Sequence, residues 1–130
     1  MPGLILDTHV VIRWLYEPRK LSKQQVRSIR TAFSRQEAVA LSAMSLLEIA
    51  MLSSEGKLDD QLENILRALE SDPFFRILPL SYEIAADFAS LLSLRDPGDR
   101  AIVATARVHG LKLVTSDERI IESNLVPVID

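Results

Sequence analysis

The order of hydrophobic and polar residues predicts a chain in which short buried strands alternate with amphipathic helices. Apolar runs of strand length occur at residues 4–6, 38–41, 75–80, 111–115 and 126–129. Apolar positions at helical spacing predict helices at about 10–15, 23–33, 45–53, 58–69, 84–94 and 97–109. Ser22 and Gln25 form a capping-box pattern at the start of the second helix.

Strands separated by helices favour a parallel sheet, because parallel strands need a long crossover connection that is usually helical. We therefore expect an α/β fold, a three-layer α/β/α sandwich around a mostly parallel sheet of about four to five strands. The 130 residues fit one domain, 1–130, and no repeat or low-complexity linker divides them.

The composition restricts the chemistry that the chain can perform. There is no Cys, which excludes disulfides, thiolate metal sites and thiol catalysis. The two His residues, His9 and His109, are too few for a His-rich zinc centre. Any bound metal would need oxygen ligands, which favours Mg²⁺ or Mn²⁺. The chain starts without a basic leader or a long apolar stretch, so we expect no membrane span and a cytoplasmic protein.

The net charge of −3 argues against nucleic-acid binding over the whole surface, but the positive charges are unevenly placed. Residues 19–35 contain six Lys or Arg residues and no acid. At 100° per residue, Lys23, Arg27 and Arg30 form a stripe beside the apolar face of their helix. We call these three residues the basic stripe. Two interpretations of the basic stripe stay open: a solvated helix face, which runs of charge usually are, or a contact for nucleic-acid phosphates.

Four acids are placed where an open parallel sheet forms its sites, beyond the carboxyl ends of the strands. Asp7 follows the first predicted strand directly, and Asp117 follows the fourth by two residues. Glu48 and Asp99 lie near the beginnings of helices that can open onto the same edge. Asp7 and Glu48 also have mostly apolar neighbours, and burying a carboxylate there is costly unless a cation or hydrogen-bond donors meet it.

Each acid also has a purely structural interpretation. Asp7 can cap the helix that follows it, and Ser45 with Glu48 fits a capping box. Asp96 fits a helix N-cap before Pro97, which leaves Asp99 at the third helical position, where the helix dipole favours acids. Asp117 can be a turn residue. The case for a functional site therefore depends on all of them meeting at one edge.

Five segments, in this order, resemble the PIN-domain family, and closely the VapC-type toxin ribonucleases of type II toxin–antitoxin systems. They are residues 4–9, 41–50, 56–58, 95–106 and 110–117. The resemblance implies a PIN-like fold and an endoribonuclease dependent on Mg²⁺ or Mn²⁺. It also implies a homodimer that a cognate antitoxin protein holds inactive.

The acidic residues of that family fall on Asp7, Glu48, Asp99 and Asp117, which the resemblance makes the catalytic and metal-binding set. Asp96 matches a D-P-x-D variant found in part of the family and is a supporting candidate. Gly98 departs from that variant, which usually has a bulky apolar residue there, and this leaves the local wall of the site open to question.

The mechanism expected from these residues is hydrolysis of RNA by water at a carboxylate-held cation. Asp7 and Asp99 are the main candidate ligands, Glu48 would bind the cation through water or orient the attacking water, and Asp117 would complete the cluster. Thr115 is predicted to fix the direction of a carboxylate through a hydrogen bond.

Two other classes of protein fit part of the pattern. A receiver-type phosphoacceptor domain has a similar length and binds Mg²⁺ at strand ends, but it would show paired acids after the first strand, where this chain has Thr8 and His9 after Asp7. A catalytically silent PIN-like binding module would keep the fold without the activity.

Overall fold

The computed structural model describes residues 2–58 and 60–130, so Met1 and Asp59 of the predicted domain lie outside the described residues. The described strands are β1 (Leu4–Leu6), β2 (Val39–Ser42), β3 (Phe75–Leu78), β4 (Lys112–Val114) and β5 (Val128–Ile129). The described helices are α1 (Thr8–Tyr16), α2 (Lys23–Ser34), α3 (Ala43–Ser54), α4 (Leu62–Ser71), α5 (Tyr82–Ser90), α6 (Pro97–His109) and α7 (Glu118–Ser123), with a 3₁₀ turn at Pro18–Lys20.

The five strands form one parallel sheet in the order β3-β2-β1-β4-β5. The order reverses beside β1, because β2 and β3 lie on one side of it and β4 and β5 on the other. Leu6 is paired with Val114, so β1 and β4 end side by side. In open α/β sheets the crevice at such a reversal is the usual ligand site.

Alternate residues of the strands bury their side chains on opposite faces of the sheet, as the pleat requires. Leu6, Leu41 and Val114 face a core that is closed by residues of α1 to α4. Ile5, Ala40 and Leu113 face a second core that is closed by residues of α5, α6 and α7. The predicted three-layer α/β/α fold with a parallel sheet is therefore confirmed.

Local signals identified several helix ends correctly. Ser22 and Gln25 form the predicted capping box, with both side-chain-to-backbone bonds present. Asp96 caps α6 ahead of Pro97, and Gly110 ends that helix in the left-handed conformation, at φ +65°. Across the described residues, no helix is long and apolar enough to cross a lipid bilayer.

Other helix boundaries differ from the prediction. The helix α3 begins at Ala43, and its N-cap is Ser42, whose hydroxyl accepts a hydrogen bond from the Met44 amide. The capping box predicted for Ser45 and Glu48 is therefore wrong, because both residues lie inside the helix. The helix α7 was not predicted at all, since six residues are too few to show a helical period.

Candidate active site

Asp7 lies at the centre of a group of acids at the carboxyl edge of the sheet, directly after β1. Its side chain is only 6% exposed. Its Oδ2 accepts a hydrogen bond from the Thr115 hydroxyl at 2.7 Å, and its Oδ1 accepts one from the Thr8 amide at 2.7 Å. Burial nevertheless raises the pKa of Asp7, since these bonds and the nearby His9 only partly compensate for desolvation. Asp7 thus caps α1, as the structural interpretation expected, and is also hydrogen-bonded to Thr115, the residue after β4.

Thr115 links Asp7 to the loop that carries Asp117. The Thr115 hydroxyl donates to Asp7 and accepts a hydrogen bond from the Asp117 amide at 3.1 Å. The Asp117 carboxylate in turn accepts a bond from the Arg119 amide at 2.9 Å and is the N-cap of α7. The Thr115 hydroxyl therefore has the hydrogen bond to a carboxylate that its predicted orienting role requires. Asp117 is the N-cap of α7, whereas the structural interpretation of the sequence made it a turn residue.

Glu48 reaches the same edge from the second turn of α3. Its Oε1 accepts a hydrogen bond from the Thr8 hydroxyl at 2.7 Å, and that hydroxyl also lies 2.9 Å from Ser45 Oγ. Partial burial raises the pKa of Glu48, and the negative charges of Asp7 and Asp96 raise it further. Glu48 is thus held by a side chain from another element, and it does not close a capping box of its own helix.

Asp96 and Asp99 enter from the first turn of α6. The Asp96 carboxylate accepts a hydrogen bond from the Asp99 amide at 3.0 Å, as an N-cap does. Desolvation, followed by repulsion from Asp117, Asp96 and Asp7, raises the pKa of Asp99 to about 7, although Arg119 opposes this shift. The neighbouring acids therefore add to the effect of desolvation at Asp99.

The five acids therefore meet at one edge, although they come from four separate parts of the chain. Within residues 2–58 and 60–130, no three carboxylate or histidine side chains stand close enough to ligate one ion together. Binding a cation through three of these acids would consequently draw their side chains inward. The donor set itself fits a hard divalent cation, because it consists of oxygen ligands whose mutual repulsion a cation would relieve.

Thr8 is a site residue that the sequence interpretation missed. It is buried, at 2% exposure, and its amide and hydroxyl contact Asp7 and Glu48 respectively. A signal was present, because Thr8 is a polar residue directly after a candidate ligand. Its hydrogen bond to Glu48, 40 positions further on, depends on the packing of α1 against α3.

The basic stripe lies on α2, with all three of its side chains exposed. They line a surface cleft together with Val26 and Thr31. Fully buried Gln25 donates a hydrogen bond of 3.0 Å to the Ser116 hydroxyl, which joins the first turn of α2 to the loop before Asp117. The amino end of the basic stripe therefore adjoins the acidic edge.

The sequence is similar to known proteins over nearly its whole length. A family model described as "PIN domain" matches residues 4–123. "Ribonuclease VapC22" from Mycobacterium tuberculosis is 31% identical over 122 residues, which cover 92% of this chain and 91% of the relative.

Two solved structures share the fold. VapBC2 from Rickettsia felis, bound to a DNA fragment from its promoter, has a chain that superposes with a TM-score of 0.74 at 15% identity, and the match covers 96% of each chain. A toxin–antitoxin complex from Klebsiella pneumoniae gives a TM-score of 0.66 at 19% identity, covering 98% of this chain and 96% of the other. At these identities the two structures support the fold alone.

Proposed function

The chain belongs to the PIN-domain family, and we propose that it is a divalent-cation-dependent endoribonuclease, the toxin of a toxin–antitoxin pair, that hydrolyses RNA phosphodiester bonds. PIN-domain nucleases generally use a divalent metal ion. The relative named as a ribonuclease is similar to this chain over nearly its whole length, which supports the same reaction class here. Family membership argues against the receiver-type alternative.

The observation that carries the proposal is the convergence of acids around Asp7 and Asp99. Both carboxyls have a raised pKa, and the charges of neighbouring acids contribute to each shift. Helix capping does not require these acids to lie so close together. Their mutual repulsion destabilises the folded protein, so an arrangement for capping alone would keep them further apart. Binding of a divalent cation would turn this repulsion into attraction.

The residues of the chain have distinct parts in the proposed reaction. Asp7 and Asp99 would hold the cation, and Asp117 would complete the cluster. A bound Mg²⁺ or Mn²⁺ supplies charge stabilisation at the phosphoryl oxygens and lowers the pKa of water at the site. Glu48 would bind the cation through water or orient the attacking water, while Thr115 and Thr8 would fix the directions of Asp7 and Glu48.

The basic stripe is the proposed contact for the RNA backbone. Among the salt bridges formed by the described part of the chain, none involves Lys23, Arg27 or Arg30. Their charges are therefore available for phosphates. The hydrogen bond between Gln25 and Ser116 holds α2 beside the loop that carries Asp117. An RNA strand bound along the basic stripe would therefore extend to the acids.

The proposed partners are a cognate antitoxin protein and a second copy of the chain, as expected for a VapC-type toxin. The likeness to "Ribonuclease VapC22" over nearly the whole chain supports the first. Leu47 and Met51 are 56% and 49% exposed on α3, and covering such apolar side chains favours association. A cytoplasmic location, as expected for a VapC-type toxin, is part of the same proposal.

The deciding experiment is a cleavage assay on single-stranded RNA with the purified protein. We expect internal cleavage with Mg²⁺ or Mn²⁺, none with EDTA, and recovery when excess Mn²⁺ is restored. If a panel of RNAs stays whole with Mn²⁺ while the protein still binds an antitoxin, the silent-module alternative replaces the proposal. Transfer of phosphate from a small phosphodonor to the protein would instead support a receiver-type domain.

A further inference from the structure

Gly98 is the second residue of α6 and is buried at the acidic edge. A Cβ atom built on its backbone would lie 2.3 Å from Glu48 Oε2 and 2.8 Å from Glu48 Cδ. It would also lie 3.2 Å from Asp96 Oδ2. The Glu48 carboxylate therefore occupies the space that any other amino acid at position 98 would fill with its side chain.

The other side of the Glu48 carboxylate is held by Thr8. The Thr8 hydroxyl donates to Oε1 at 2.7 Å, while Oε2 is the atom that lies against Gly98. A methyl group at position 98 would force Oε2 to retreat by about 1 Å to reach van der Waals distance. Since the carboxylate is the flexible end of a long side chain, it would move aside while the backbone stays in place.

We propose that Gly98 is a positioning residue, whose missing side chain lets the Glu48 carboxylate lie between the Thr8 hydroxyl and the first turn of α6. The effect of Gly98 on catalysis rests on the proposed function. Glu48 then stands near Asp96 and Asp7, whose charges act on it, and it can orient water there for the proposed hydrolysis. A larger residue at position 98 displaces Glu48 and leaves the other acids where they are.

Four variants test this inference: Gly98→Ala, Glu48→Asp, the double variant, and Gly3→Ala as a matched control. Gly3 suits the control because its added Cβ would meet nothing within 4 Å and its φ is not left-handed. Glu48→Asp shortens the side chain by one carbon–carbon bond, about 1.5 Å, which is enough to clear the new methyl group.

We expect Gly98→Ala to lower kcat by roughly 10–100-fold with little change in KM, and to weaken Mn²⁺ binding measured by calorimetry, as changes to orienting residues do. Its thermal melt should match that of the wild type or exceed it, because alanine favours the helix. In the Glu48→Asp background, Gly98→Ala should lower kcat by less than about 2-fold. Such non-additivity is expected of two residues in contact.

Crystal structures of the wild type and Gly98→Ala test the displacement without reference to activity. We expect the Glu48 carboxylate to leave hydrogen-bond distance of the Thr8 hydroxyl in the variant. The inference is overturned if that bond survives, if Gly98→Ala behaves like Gly3→Ala in kcat and Mn²⁺ affinity, or if the methyl group costs as much in the Glu48→Asp background as in the wild type. A wild type that neither cleaves RNA nor binds Mn²⁺ would end the proposed function, while the crystal structures would still decide the position of Glu48.

Discussion

Thr115 donates a hydrogen bond of 2.7 Å to Asp7, although the two residues are 108 positions apart in the chain. The pairing of Leu6 with Val114 places them there, because each follows a strand end of the same parallel pair. This hydrogen bond fixes the Oδ2 atom of Asp7, and a hydrogen bond from the Thr8 amide fixes its Oδ1 atom. Asp7 is therefore the most firmly oriented acid of the proposed site.

Replacing Asp7 by Asn should abolish the proposed cleavage without unfolding the protein. Asn keeps the shape and one acceptor oxygen, which can still meet the Thr8 amide, but it replaces the other oxygen by an NH₂ donor and loses the negative charge. We expect a loss of more than about 100-fold in kcat/KM, since changes to residues that merely orient a ligand already cost 10–100-fold. In EDTA the thermal melt should stay equal or rise, because a buried repelling charge is removed. Full RNase activity in Asp7→Asn would refute the assignment.

Removing the Thr115 hydroxyl should weaken the site through Asp7. In Thr115→Val the Asp7 carboxylate and the Asp117 amide each lose a partner in a buried place, at a cost of about 1–3 kcal/mol in the free energy of unfolding. We expect cation affinity to fall by about 10–100-fold. Thr115→Ser is the matched control, since it keeps the hydroxyl, and an equal loss of affinity in both variants would contradict the orienting role.

The stability of the metal-free protein should fall as the pH rises from 5 to 8. The pKa of Asp99 is about 7 in the folded protein against 3.8 for an ordinary Asp, so in this range the folded state retains a proton that the unfolded chain has released. Burial raises the pKa values of Asp7 and Glu48 in the same direction. After allowance for solvent screening, we expect Asp99 to contribute on the order of 1 kcal/mol to this loss.

Urea denaturation in EDTA across that pH range measures the effect. Asp99→Asn should reduce the pH dependence, whereas Glu70→Gln, which changes an exposed acid on α4, should leave it unaltered. A free energy of unfolding that increases from pH 5 to pH 8 would contradict a raised pKa of these acids in the folded state.

Neutralising the basic stripe should weaken RNA binding in a salt-dependent way. For the triple variant Lys23→Gln, Arg27→Gln and Arg30→Gln, we expect the slope of log affinity against log salt to lose about 2 units, given about 0.7 per phosphate contact with single strands. The value of kcat at saturating RNA should change little. The measurement is fluorescence anisotropy with Asp7→Asn as the background, so that the RNA is not cleaved.

A matched control loses three positive charges elsewhere. Arg67, Arg76 and Lys112 are exposed on α4, β3 and β4, and their replacement by Gln changes the net charge equally. If both triple variants show the same slope as the background protein, the basic stripe is only a solvated helix face.

The alternation of apolar runs and helical patterns was enough to predict the parallel sheet and its helical layers. Capping signals at Ser22, Asp96 and Gly110 also identified helix ends correctly. These features were accessible from the sequence because they depend on residues within about one helical turn of each other. Local patterns failed at α3, where Ser45 and Glu48 have the spacing of a capping box but hydrogen-bond to Thr8 instead.

The sequence by itself determined the alternation of strands and helices and the parallel sheet, and it predicted that Asp7, Glu48, Asp99 and Asp117 lie near one edge. The tertiary structure alone decided which groups touch: Thr115 with Asp7, Thr8 with Glu48, and Gly98 against the Glu48 carboxylate. Periodicity and capping act over a few residues, whereas contacts between elements depend on strand order, register and helix packing. Those properties arise only when the whole chain is folded, because each is set by residues far apart in sequence.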